Sequence, residues 1–239
     1  MYGKICILLF ISCIYFAIAD PVPFITKCKW DDTKCNKESS QAVVGIFSAG
    51  LPEYNVEKSD PLQIDYVDAS SPNMKLIVTD VVVTGLKNCE VKKMQRFEDS
   101  SKLIVKILCS TELKGKYDMK GQLFVIPIEG KGDLYANVPK IQINAEVDLN
   151  IKKGKDGKDR WLVKSWRHTF DLKDKSTVKF ENLFPDNEFL RTSTNELIAQ
   201  NGNDVIIEIG ANLIKALVGK VVENIKKFFL AVPIEDLSL

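Results

Sequence analysis

The sequence predicts an α+β fold in which a long C-terminal α-helix is wrapped by a strongly curved antiparallel β-sheet, with an internal hydrophobic tunnel. Two observations support this fold class. Residues 204–229 are apolar over most of a helical circumference, which is typical of a buried helix. Charged residues inside this stretch, such as Lys215 and Glu223, argue against a membrane span. The segments before it alternate between apolar and polar residues, so a curved sheet is the expected cover for the helix.

The N-terminus is typical of a secretory signal peptide. Lys4 precedes an apolar run at residues 5–18, and Ala17-Ile18-Ala19 has the small-x-small pattern of a cleavage site. We therefore predict a signal peptide at residues 1–19 and a single domain at residues 20–239. The apolar run is short for a membrane anchor. The expected product is a secreted, extracellular protein without a stable membrane anchor.

The charge balance argues against a general electrostatic partner. The chain carries 33 basic and 32 acidic residues, and cleavage would remove Lys4, so the secreted protein is neutral. A neutral surface with interspersed signs does not attract nucleic acid over a distance. We expect no nucleic-acid partner and a monomeric protein.

The cysteines predict disulfides. Of the six cysteines, those outside the signal peptide are Cys28, Cys35, Cys89 and Cys109. An even number in an oxidising compartment favours pairing. Cys28 and Cys35 are close enough in sequence to close a small loop, and a hairpin of strands 91–97 and 102–110 would bring Cys89 opposite Cys109. Two buried free thiols are the alternative for this second pair. No zinc site is expected, because Cys-x-x-Cys is missing and the chain has one histidine.

The first predicted element is a helix at residues 36–49. Val43, Val44 and Phe47 share one face of it, and Gly50 stands where a helix would stop. Alternation and turn residues then predict a series of strands: 62–66, 74–84, 91–97, 102–110, 122–128, 139–151, 161–172 and 178–180. Residues 129–133 (EGKGD) and 152–160 (KKGKDGKDR) are expected to form exposed turns between them. The long helix at 204–229 completes the domain.

The faces predicted to point inward supply the candidate ligand-binding residues. The strand at 139–151 alternates most regularly, with Ile141, Ile143 and Val147 on one side. The apolar candidates are Val43, Val44, Phe47, Ile64, Leu123, Val125, Ile141, Ile143, Val147, Trp166, Phe170, Phe180, Leu213, Leu217 and Val221. The polar candidates, which would orient a ligand, are Tyr66, Tyr135 and His168.

Motifs that carry catalysis are missing from the sequence. His168 is the single histidine, and it lies between Trp166 and Phe170 in a predicted strand. It could be a packed core residue, a polar contact for a ligand head group or a catalyst. The chain has no Gly-x-Ser-x-Gly elbow, P-loop or dinucleotide-binding motif. We therefore predict no catalytic residue, no metal site and no cofactor.

Short sequence tags recur in order along nearly the whole predicted domain. They are Cys28 with Cys35, Gly50-Leu51-Pro52, Asp60-Pro61-Leu62, Gly85-Leu86, GKYDMKG at 115–121, IPIEGKG at 126–132, Asn182-Leu183-Phe184 and VPIED at 232–236. With these tags the chain resembles the insect Takeout and juvenile-hormone-binding protein family, and is similar to lipid-binding TULIP-type domains. No cysteine follows Cys109, so a late disulfide of the juvenile-hormone carriers is missing. This departure favours the Takeout branch.

The resemblance implies a long helix inside a strongly curved sheet, an internal tunnel and a Cys28–Cys35 disulfide. It also implies a non-catalytic carrier. The expected protein is a secreted carrier that binds an elongated hydrophobic small molecule, such as a terpenoid, a fatty-acyl chain or a prenylated quinone, in its internal tunnel. One alternative is a membrane- or lipopolysaccharide-interacting protein with a basic tip at 152–160. The other is a lipid-processing enzyme, whose activity would depend on His168.

Overall fold

The computed structural model describes residues 22–98 and 101–239, so the predicted signal peptide lies outside the described residues. The main elements, in chain order, are α1 (Thr33–Ala49), β1 (Leu62–Asp68), β2 (Met74–Thr84), β3 (Glu90–Arg96), β4 (Lys102–Leu123), β5 (Ile126–Lys153), β6 (Asp159–Leu172), β7 (Thr177–Phe180), α2 (Glu188–Gln200), α3 (Gly202–Ile209) and α4 (Ala211–Ala231). Short 3-10 helices occupy Pro52–Tyr54, Leu86–Asn88 and Ile234–Asp236. No helix in the described part of the chain is both long and apolar enough to cross a membrane.

The strands form one curved, seven-stranded antiparallel sheet, as the predicted fold class requires. Its main path runs β1-β2-β4-β5-β6, while β3 pairs with β4 and β7 pairs with β5. The two central strands, β4 and β5, contain 22 and 28 residues, and β4 pairs along its whole length with residues 126–148 of β5. The other strands and the helices are arranged around this long hairpin.

The predicted boundaries around residues 122–133 are wrong. Residues 129–133 do not form a turn, because Gly130 and Gly132 pair with Met119 and Tyr117 inside the β4–β5 ladder. The chain reverses instead between Leu123 and Ile126. The glycines serve close packing: a Cβ at Gly132 would lie 2.4 Å from the Glu181 carbonyl oxygen.

The first helix is confirmed and extends slightly further than predicted. Asp32 caps its N-terminus by accepting a hydrogen bond from the Cys35 backbone N–H at 2.9 Å. Gly50 ends it with a positive φ of 87°. Gln41 reaches from α1 to the edge of β3. Its side-chain amide donates to the Cys89 carbonyl at 3.1 Å and accepts from the Val91 N–H at 2.7 Å.

The predicted continuous helix at 204–229 is corrected by the structure. The segment is divided at Gly210 into α3 and the 21-residue α4. Gly210 caps the end of α3 by donating its N–H to the Ile206 carbonyl oxygen at 2.8 Å, and a Cβ at this position would lie 2.5 Å from that oxygen. The preceding helix α2 was not predicted. Asn187 caps α2 by accepting a hydrogen bond from the Leu190 N–H.

Both disulfides are present. Cys28 is bonded to Cys35, with 5.7 Å between their Cα atoms. Cys89 is bonded to Cys109, with 4.3 Å between their Cα atoms. The pairing of Glu90 with Leu108 places this second bond across the β3–β4 ladder, as the hairpin argument predicted.

The buried side chains form two hydrophobic clusters. The first core cluster lies between α3, β1, β2, β7 and the hairpin end of β4–β5, around Val78, Tyr117 and Leu183. The second core cluster joins the N-terminal segment to β6 and the end of α4, around Val22, Trp161 and Phe228. Phe47 and Tyr54 pack edge-on against Phe228, with ring centroids 5.0 and 5.2 Å away. The sheet surface between the two clusters is the candidate site.

Candidate functional site

The inner face of the sheet is organised in transverse rows, each made of side chains paired across neighbouring strands. At one end, the end row belongs to the second core cluster and comprises Arg96, Leu103, Val147 and Trp166. At the other end, the far row borders the first core cluster and comprises Cys109, Ile141 and Leu172. Two central rows lie between them. Their members are Met94, Val105, Ala145 and His168, then Val91, Ile107, Ile143 and Phe170.

On β4 and β5, the residues of the central rows are less buried than those of the rows beside them. Leu103 and Ile141, in the end and far rows, are only 3% and 8% exposed. Seven of the eight residues of the central rows are half-buried, and Val91, at the β3 end of the second row, is 3% exposed. Cys109 is six positions after Leu103 along β4, which corresponds to about 20 Å at ~3.4 Å per residue. The inner face therefore carries an apolar band with accessible surface along its middle.

Helix α4 lies against β6 at the level of this band. Gly219 of α4 faces Trp166 so closely that a Cβ at this position would lie 3.5 Å from the indole ring. Lys215, one turn earlier, is near enough to His168 to affect its protonation. The half-buried apolar residues of α4 in this region include Ile214 and Val218, and Leu217 packs against the first core cluster. The band is thus bounded by the sheet on one side and by an apolar helix face on the other.

The outer face of β5 and β6 at this level is polar. Asn144 donates a hydrogen bond to Thr169 at 3.2 Å, and Ser165 donates to Asp148 at 2.6 Å. Arg167 forms an ion pair with Glu146. This alternation between β5 and β6 fixes which side chains point inward, since a shift of one residue would exchange the two faces.

His168 is the polar group of the central rows. Its ring centroid lies 5.6 Å from that of Trp166. Desolvation, and secondarily the positive charge of Lys215, lower the pKa of His168 below its ordinary value. The neutral imidazole is therefore favoured, and it offers one donor and one acceptor to a partner.

The structure brings many of the predicted site residues together. Ile141, Ile143, Val147, Trp166, His168 and Phe170 all lie on the inner face. Leu217 and Val221 are half-buried on α4, and Val43, Val44 and Phe47 are half-buried on α1. Four other candidates pack against or within the first core cluster: Ile64, Leu123, Phe180 and Leu213. Leu123 and Phe180 are 1% and 3% exposed, so they act as core residues.

Three candidates do not point inward, and their predicted orientation is corrected. Val125 is 86% exposed at the turn between β4 and β5. Tyr135 is 40% exposed because a register shift next to Pro139 turns Leu134 and Ala136 inward instead. Tyr66 is 60% exposed.

Tyr66 points outward because of a bulge in the neighbouring strand. Asp80 in β2 has a positive φ of 52°, and the register with β4 shifts there. The inward face of β2 changes at this bulge, from Val81 on one side to Val78 on the other. Val67, which pairs with Val78, is consequently the buried residue of β1 at this level.

Sequence analysis missed part of the inner face. The residues not predicted to face inward are Met94, Arg96, Leu103, Val105 and Ile107. Strand alternation and helix phase do place Ala145, Leu172, Ile214 and Val218 on apolar faces, but these four were not among the candidates. The segment 102–110 is apolar on both faces, so periodicity alone does not orient it. The predicted Cys89–Cys109 disulfide is the observation that orients this strand. A buried disulfide at Cys109 places Val105 and Ile107 on the same inward face, because strand side chains alternate.

No group of three or more His, Cys, Asp or Glu side chains suited to holding a metal ion occurs in the ranges 22–98 and 101–239. The chemistry of the band is instead that of apolar contact with a few hydrogen-bonding groups. Such surfaces suit non-covalent binding of hydrophobic molecules.

Comparison with known proteins agrees with this geometry. The crystal structure of Takeout 1 from Epiphyas postvittana superposes with a TM-score of 0.84 at 27% sequence identity, covering 90% of this chain and 99% of that one. The circadian clock-controlled protein daywake of Drosophila yakuba is 27% identical over 197 residues, covering 77% of this chain and 75% of the relative. Its Drosophila melanogaster counterpart is 24% identical over the same length. The family model for haemolymph juvenile hormone binding protein matches residues 5–239, so the chain belongs to that family.

Proposed function

We propose that this protein is a secreted, non-catalytic carrier that binds an elongated hydrophobic small molecule between the curved sheet and α4. The ligand class is a terpenoid, a fatty-acyl chain or a prenylated quinone. The observation that carries the proposal is the mainly half-buried apolar band of the central rows, with buried β4 and β5 residues at both ends: Leu103 and Val147 at one, Cys109 and Ile141 at the other. The two disulfides support an extracellular location. The family's description, with its reference to haemolymph and juvenile hormone, supports both the location and the ligand class.

Affinity in this proposal comes from apolar burial. Each buried methylene contributes about 0.8 kcal/mol, and the cost of ordering a flexible ligand reduces the sum. The central rows present aliphatic, aromatic and thioether groups from Ile143, Phe170 and Met94. His168 gives the band a neutral hydrogen-bonding group that can orient a carbonyl or hydroxyl. A tunnel along the band would exclude water from most of the ligand.

The decisive experiment is native mass spectrometry of the secreted protein, followed by organic extraction of whatever co-purifies. We expect about one discrete apolar molecule per chain. Delipidated protein should then take up long-chain terpenoids, acyl chains or quinones on titration. A clean unliganded mass together with no uptake of any of these would contradict the carrier function.

A pair of substitutions on α4 locates the binding surface. Leu217→Asp places a charge on the half-buried face and should abolish uptake, because an ionised carboxylate is costly to bury beside an apolar ligand. Leu230→Asp is the matched control on the same helix, since Leu230 is 45% exposed. Circular dichroism checks that both variants fold. Unchanged uptake by folded Leu217→Asp would place the ligand elsewhere.

The basic tip is a weaker candidate for function. Its cations are largely matched by acidic partners: Lys158 by Glu235 at 2.5 Å, Lys153 by Asp159 at 3.3 Å, and Arg160 by Asp156 at 2.7 Å. Paired charges attract an anionic membrane weakly. Salt-dependent binding to anionic vesicles would nevertheless favour the membrane-interacting alternative.

A further inference from the structure

Arg96 is a buried cation without an acidic partner in the described part of the chain. Only 5% of its surface is exposed, and no carboxylate there forms a salt bridge with it. Its Nη2 group donates to the Cys28 carbonyl oxygen at 2.6 Å. The guanidinium also lies over the Trp161 ring, 5.8 Å from the centroid. Buried charges in proteins are normally paired, because an isolated charge in an apolar region is unfavourable.

Two donors at this position have no acceptor. The Arg96 Nε–H and the Trp161 Nε1–H are both buried, and neither finds a hydrogen-bond partner in the structure as described. Most buried polar groups in folded proteins are hydrogen-bonded, so two adjacent exceptions require an explanation. Both are donors, and one belongs to a cation. The group that would complete this site is therefore an acceptor, and one that carries negative charge fits best.

The position of Arg96 connects this site to the ligand band. Arg96 is in the end row, and Met94 of the first central row is two residues earlier on the same face of β3. Two residues along a strand correspond to about 7 Å. Met94 and Trp166 are the half-buried side chains that border the second core cluster at this point. Met94 is unbranched and flexible, so it can rotate to let a terminal group reach the guanidinium.

We propose that Arg96, with the indole N–H of Trp161, binds the carboxylate of a long-chain acid whose apolar tail lies along the central rows. This inference rests on the proposed carrier function and adds the polarity and orientation of its ligand. A single guanidinium matches a monoanion in charge. A phosphate monoester carries about −1.5 to −2 at neutral pH and would leave excess negative charge in the core. A neutral ester can accept hydrogen bonds but does not compensate the cation.

The test compares palmitic acid with methyl palmitate on the delipidated full chain at neutral pH. The two probes share the tail, so the affinity ratio measures the contribution of the carboxylate. We expect the acid to bind about tenfold tighter or more, as is usual for hydrogen bonds to charged groups. This wild-type comparison does not depend on whether any variant folds. Equal binding of acid and ester would overturn the inference and leave the carrier function intact. Failure to bind either probe or any other apolar molecule would overturn both.

Substitutions then assign the preference to the two donors. Arg96→Met keeps most of the apolar contact and should reduce the acid-to-ester affinity ratio to about one, with ester binding preserved. Trp161→Phe removes only the indole donor and should lower the ratio by a smaller factor. Arg96→Lys keeps the charge and should retain part of the preference. A ratio unchanged in folded Arg96→Met would show that Arg96 only supports the Cys28 segment.

Discussion

The protonation state of His168 is linked to the stability of the folded protein. Its pKa is lowered, first by desolvation and then by Lys215, so the unfolded chain binds a proton more readily than the folded one. Its contribution to stability is complete above its ordinary pKa of about 6.5 and declines as the pH falls from there towards the folded pKa. We expect the melting temperature of the wild type to fall between about pH 7 and pH 5. In His168→Phe this part of the pH dependence should disappear. Identical pH profiles of the two proteins would contradict the role of His168.

Glu57 provides a second residue-scale test, with the opposite type of group. It forms ion pairs with Lys220 at 2.9 Å and Lys227 at 2.5 Å, which lower its pKa to about 2. The two hydrogen bonds are the larger causes, and the direct charge interactions follow. A lowered carboxyl pKa gives stability that is present above about pH 4.5 and is lost as the pH falls towards 2.

The substitution Glu57→Gln should therefore destabilise the protein at neutral pH and have no effect near pH 2. Because the Glu57 side chain is 52% exposed, solvent screening keeps the expected loss below about 1 kcal/mol. Urea unfolding at several pH values measures it. Lys226→Gln is a control on the same helix turn, since no ion pair of Lys226 is found in the described structure. A constant difference between wild type and Glu57→Gln at all pH values would refute the ion-pair explanation.

At the scale of elements, two glycines differ in the space around them and therefore in their physical role. Gly132 in β5 has no space for a side chain, because its Cβ would lie 2.4 Å from the Glu181 carbonyl oxygen. Gly45 in α1 has nothing within 4 Å of the same position. Gly132→Ala should therefore cost about 1–3 kcal/mol by overpacking against the segment after β7. Gly45→Ala should increase stability by about 0.5–1 kcal/mol, because alanine favours the helical backbone. Chemical denaturation compares the two, and equal effects would contradict this assignment.

These glycines also show where sequence reasoning about elements succeeds and fails. Helix α1 was predictable because an apolar face and Gly50 agree on one local structure. The segment 129–133 was not, because glycines needed for close approach look like glycines needed for a turn. Only the segment around Glu181, which lies about fifty residues later in the same chain and packs against these glycines, distinguishes the two cases. The inward faces of β5 and β6 were predictable from alternation. The bulge at Asp80, which turns Tyr66 outward, has no comparable local signal.

At the scale of the whole molecule, the two disulfides restrain different lengths of chain. Cys28–Cys35 spans a separation of 7 residues and Cys89–Cys109 one of 20. Chain entropy in the unfolded state predicts contributions of about 2 and about 3 kcal/mol. The double variant Cys89→Ala/Cys109→Ala should thus lose more stability than Cys28→Ala/Cys35→Ala. Guanidinium unfolding of both, with the wild type as reference, provides the measurement. The reverse order would show that strain or residual structure dominates.

The contact between Gln41 and β3 has a consequence for how the protein behaves in solution. Strand β3 pairs with β4 alone. At the free edge of β3, the side-chain amide of Gln41 forms hydrogen bonds with the backbone of Cys89 and Val91. An unprotected strand edge is a template for pairing with another chain. Detachment of α1, whose start is fastened by the Cys28–Cys35 bond, would uncover this edge. Protein produced under reducing conditions is therefore expected to self-associate, whereas an oxidising folding compartment should yield dispersed, ligand-competent molecules.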